Sequence, residues 1–106
     1  MHLEYESATE IQQEIMRAVR KHLPDERYHV FIFGSRVAGT HSDRSDIDVG
    51  IEGPRPVGGG IMSAIEEDIE ELDTLYSIDI VDFFHLPEKF KRVVGDTKEY
   101  LTTQNL

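Results

Sequence analysis

The sequence of 106 residues contains no cysteine, which excludes disulfide bridges, thiolate zinc sites and cysteine nucleophiles. Basic side chains are scarce: 11 Lys and Arg stand against 21 Asp and Glu, for a formal charge of −10. Binding a nucleic-acid backbone relies on clustered Lys and Arg, so this balance argues against direct nucleic-acid binding and favours a protein partner or acceptor. No apolar run reaches the ~20 residues of a membrane span, and the opening Met1-His2-Leu3-Glu4-Tyr5-Glu6 has neither the basic nor the apolar region of a signal peptide. The expectation is a cytoplasmic protein without membrane contact.

With 39% hydrophobic against 30% charged residues, the chain can bury a modest core, and its length suits one domain over residues 1–106. Ser7-Ala8-Thr9-Glu10 has the form of a capping box, and Ile11, Ile15, Ala18, Val19 and Leu23 recur at helical spacing, predicting a helix from about residue 8 to 22. Pro24 to Arg27 breaks it, and Tyr28 to Phe33 reads as a buried strand that runs straight into Gly34-Ser35. Ile47, Val49 and Ile51 alternate with Asp46, Asp48 and Gly50, a period of two that puts both aspartates on one strand face. Gly53 to Gly60 is a loop by composition, either a lid or a spacer. Met62, Ile65, Ile69, Leu72 and Tyr76 predict an amphipathic helix with a solvated acidic face, and Ile78 to Phe84 a third strand. The pattern predicts a helix starting near Pro87 and a short last helical turn around Glu99 to Leu101.

Several residues carry chemistry. A glycine that ends a strand lets the backbone approach a ligand, and the amides and hydroxyl of Gly34-Ser35 can donate to phosphate oxygens. Alone, such a pair is most often a plain turn. Asp46 and Asp48 sharpen the reading, because carboxylates sharing a face repel unless a cation lies between them, and Mg²⁺ prefers oxygen ligands. A two-metal site needs a further carboxylate from another element. Asp79 and Asp82 both lie on the third strand but on opposite faces, and alternation by itself does not choose between them. Arg36 can reach a phosphate or pair with a surface acid. The five histidines form no motif, although His41 lies between Ser35 and Asp46.

Gly34-Ser35, ten residues, Asp46-Ile47-Asp48, and then Ile78-Asp79-Ile80-Val81-Asp82 together resemble the minimal nucleotidyltransferases of the DNA polymerase β superfamily. The likeness runs from the first helix to Leu86-Pro87-Glu88. In that family the third carboxylate opens an Asp-apolar-Val strand core, so the resemblance selects Asp79 and leaves Asp82 a structural role. It implies an α/β (α+β) polymerase-β-like fold, with a small mixed sheet of three or more strands flanked by helices and the acids on one side. It also implies transfer of AMP from ATP to a hydroxyl, with two Mg²⁺ ions (or Mn²⁺) held by Asp46, Asp48 and Asp79. Gly34 and Ser35 would hold the β- and γ-phosphates, with Arg36 beside them.

The family includes antitoxins that silence HEPN-type RNase toxins by adding AMP to a toxin tyrosine, which makes such a toxin the expected partner and acceptor. The Gly53 to Gly60 loop has no counterpart assigned in the family. Two alternatives stand beside the enzyme reading. One is a module that neutralises its partner by stoichiometric contact. The other is transfer to RNA or a small molecule, which the acidic balance and the short chain disfavour.

Overall fold

The structure, a computed structural model, describes residues 8–33, 47–95 and 98–101. The first helix, α1 (Ala8–His22), is strongly amphipathic and buries Ile11, Ile15, Met16, Ala18 and Val19. The Arg20 guanidinium pins the connection that follows, donating to the carbonyls of Asp25 and Tyr28 at 2.8 Å each. These bonds occupy polar groups that the turn leaves without a helical partner, and they set where strand β1 (His29–Phe33) begins.

Three further strands join β1: β2 (Ile47–Glu52), β3 (Ile78–Asp82) and the two-residue β4 (Glu99–Tyr100). The sheet order is β3-β2-β1-β4, with β2 and β3 parallel and the other pairs antiparallel. Helix α2 (Gly59–Glu70) makes the crossover that a parallel pair requires. It starts after Gly58, whose φ of 92° lies in the left-handed region that favours glycine. Ile65 and Ile69 then pack with Val30, Ile32, Ile47, Val49 and Ile51, so α1 and α2 cover one face of the sheet.

The opposite face carries Phe31, Phe33 and Phe83, which form a separate aromatic cluster. Phe31 and Phe83 meet edge-to-face with centroids 4.8 Å apart. Val81, Leu86 and Val94 pack against this cluster, and Val94 belongs to a last helix, α3 (Glu88–Gly95). The acid-bearing face is therefore not bare, because its far half is an aromatic cluster bordered by α3.

Four local details differ from the sequence expectation. The third strand ends at Asp82, since Phe83–His85 forms a 3₁₀ turn capped by the Asp82 carboxylate, which accepts from the Phe84 amide at 3.0 Å. Helix α2 begins inside the glycine run at Gly59 and stops at Glu70. Leu72 and Tyr76 still point to the core, but from the connection beyond the helix. Glu99 and Tyr100 pair with β1 as a strand rather than closing a helical turn. A single turn is costly to nucleate, whereas the open edge of β1 supplies ladder partners at once. Among the described residues no helix is long and apolar enough to cross a membrane.

Candidate active site at one end of the sheet

Burial of Ile47, Val49 and Ile51 under the helices forces Asp48 and Gly50 onto the other face of β2. In the antiparallel register Asp48 lies opposite Phe33, the residue that precedes Gly34. In the parallel register it lies opposite Asp79. The two residues thus share one face at directly paired positions of neighbouring strands, whose backbones lie about 4.8 Å apart. Asp48 is half-buried and Asp79 exposed.

Asp82 pairs instead with Ile51, on the helix-covered side. Its Oδ2 accepts from the Val57 amide at 2.9 Å while Oδ1 accepts from Phe84. The carboxylate is occupied in tethering the Gly53 to Gly60 segment to the end of β3. Val57 is itself buried, so this segment is anchored at its middle.

Gly34, Ser35, Arg36, His41 and Asp46 lie outside the described residues. Among the described residues no three His, Asp or Glu side chains gather as a metal group. What the described part brings together is the pair Asp48 and Asp79. Like charges directly opposite destabilise a sheet, and paired carboxylate oxygens are the donors that hard divalent cations take. Their chemistry therefore fits a divalent metal as an incomplete set, which Asp46 would extend.

Two features around this end and face of the sheet were not anticipated. At the far end of β2, Glu52 accepts from Lys98 Nζ at 3.2 Å, and that ammonium also lies 4.6 Å from the Phe31 ring centroid. A cation over an aromatic face is attracted to it, so Lys98 closes the aromatic half of the face. Beside Asp79 a cleft of about 350 Å³ opens between the end of α2, the 72–77 connection and the start of β3. No residue pattern announces it, because its walls are assembled from a helix end and a turn.

The sequence matches the family described as "Polymerase beta, Nucleotidyltransferase" over residues 13–105. It is similar to the Haemophilus influenzae protein named "Probable protein adenylyltransferase MntA", at 30% identity over 82 residues, covering 77% of this chain and 68% of that protein. The fold is similar to a solved toxin–antitoxin structure with AMP-PNP, at TM-score 0.68 and 20% identity, covering 89% of this chain and 74% of that one. It is also similar to a chain of a solved complex of a tri-AMPylated Shewanella oneidensis HEPN toxin with an MNT antitoxin. There the TM-score is 0.65 and the identity 17%, with 89% of this chain and 71% of that one covered.

Proposed function

Because this chain belongs to the polymerase β nucleotidyltransferase family, we propose that it transfers AMP from ATP to a tyrosine of a HEPN-type RNase toxin and so acts as its antitoxin. The observation that supports this most directly is the register pairing of Asp48 with Asp79 on an acid-bearing sheet end. The protein-adenylyltransferase name of its Haemophilus relative and the toxin–antitoxin solved structures of the same fold support the acceptor and the partner.

In this reading Asp48 and Asp79, with Asp46, would hold two Mg²⁺ ions, while Gly34, Ser35 and Arg36 would hold the phosphates. The bound ions would neutralise charge on the triphosphate and lower the pKa of the attacking hydroxyl. The acceptor oxygen bonds to the α-phosphorus as the bond from that phosphorus to its bridging oxygen breaks, and pyrophosphate leaves with the electron pair. The hydroxyl proton passes to the Asp79 carboxylate.

The test is intact-mass measurement of a HEPN-type toxin co-expressed with this chain, after incubation with ATP and Mg²⁺. One or more AMP additions are expected. Asp48→Asn and Asp79→Asn should each cut the rate by more than the roughly 10–100-fold typical of changes outside the metal's direct ligands. Both variants should keep the wild-type circular dichroism spectrum, but lose the rise in Tm that Mg²⁺ with AMP-PNP gives the wild type. A stable complex with an unmodified partner would instead mean neutralisation by contact.

A further inference from the structure

We propose that the cleft beside Asp79 is the acceptor subsite. It receives the aromatic, hydroxyl-bearing side chain of an acceptor segment that carries basic residues on either side. This rests on the protein-acceptor reading above and extends it to a binding place.

The volume of about 350 Å³ falls at the lower end of the roughly 300–1,000 Å³ of built ligand sites. The cleft lining is more polar than apolar: the Thr74 and Ser77 hydroxyls and the acids give it polar groups, and Leu72 and Ile78 give it an apolar side for a ring. The walls are tied within themselves. The Leu72 amide donates to the Ile69 carbonyl at 3.1 Å, the Thr74 amide to Leu72 at 3.0 Å, and the Tyr76 amide to Thr74 Oγ1 at 3.2 Å. The Ser77 carbonyl accepts from the Ile47 amide at 2.8 Å. That last bond joins the cleft to the first residue of β2, one position before Asp48. Ordering is therefore complete before a side chain enters, which reduces the entropy cost of binding.

Charge favours an acceptor over a nucleotide as the occupant. Among the described residues Glu70 and Asp79 line the cleft, and no Lys, Arg or His does. Helix α2 also ends there, presenting the negative end of its dipole with no basic residue in its last turn. With Asp79 given to the metals, Glu70 and the helix end still disfavour a triphosphate in the cleft, whereas a neutral phenol between Lys or Arg residues would be drawn in. On the connection that forms the wall, Leu75 is 79% exposed, an apolar contact on the lip for the incoming chain.

Two variants test the subsite. Ser77→Trp fills the cleft while keeping the backbone bond to Ile47. Glu70→Lys reverses its charge and places a base at a helix C-terminus, where it does not oppose folding. Each should raise the KM for the HEPN protein at least about tenfold, with kcat much less affected and AMP-PNP affinity by calorimetry within about twofold of wild type. An unchanged acceptor KM in both folded variants, or weakened AMP-PNP binding, would overturn the subsite alone. Failure of the wild type to transfer AMP to that protein would overturn the subsite together with the function on which it rests.

Discussion

Gly50 lies midway between Asp48 and Glu52 on the acid-bearing face, directly beneath two aromatic rings. A Cβ there would stand 2.4 and 2.5 Å from ring atoms of Phe31 and 2.7 Å from Phe83. Both rings are completely buried and packed against each other, so neither can swing aside without opening the cluster. Gly50→Ala should therefore destabilise the fold by about 1–3 kcal/mol through overpacking, seen as a lowered urea midpoint with an unchanged slope. An unaltered midpoint would mean that the rings yield. The sequence displays Gly50 only as a polar-phase position of a strand, because the clashes that demand glycine come from Phe31, 19 positions earlier, and Phe83, 33 positions later in the chain.

The two helices on the other face are joined by an ionic contact where α1 ends. His22 Nε2 lies 2.7 Å from Asp68 Oδ2, and Lys21 Nζ lies 3.4 Å from the same oxygen. The hydrogen bond from His22, with Lys21 beside it, holds the Asp68 carboxyl below its ordinary value of 3.8. A carboxyl with a depressed folded pKa stabilises the fold above its unfolded pKa, and that contribution is lost as pH falls through the folded value. Asp68→Asn should lower Tm at pH 7, and the gap to wild type should close as pH drops below about 3.8. A gap that persists unchanged at low pH would show that the contact acts through shape rather than charge. At this scale periodicity made α1, β1 and β2 legible, but α2 was misjudged at both ends. Leu72 and Tyr76 keep helical spacing while sitting on a turn, and only their packing reveals it.

For the whole chain, the excess of ten negative charges sets a background repulsion that compact packing raises. Salt shortens the range of that repulsion, from a Debye length of about 30 Å at 0.01 M to about 3 Å at 1 M. Raising NaCl from 0.01 to 0.5 M should increase Tm by a few degrees, where an isolated surface ion pair would give the opposite sign. Calorimetric melts across that range decide between them. The same charge opposes a nucleic-acid acceptor and suits a basic protein segment.

Strand alternation in Ile47 to Ile51 put Asp48 and Gly50 in one phase from the sequence alone and predicts the same phase for Asp46, because side chains in a strand alternate whatever surrounds them. The Gly34-Ser35 spacing pointed to the family for a similar reason, since the motif is local. Which carboxylate on β3 stands beside Asp48 was open on alternation, because either phase of that strand fits its own neighbours. Parallel register decided the neighbour: it sets Asp79 against Asp48 and leaves Asp82 against Ile51, tethered to Val57 and Phe84. The cleft beside Asp79 also exists only in three dimensions, where a helix end, a hydrogen-bonded turn and a strand start meet. The opposed pair Asp48 and Asp79 is thus a consequence of register between strands that lie 31 residues apart, which no local pattern can encode.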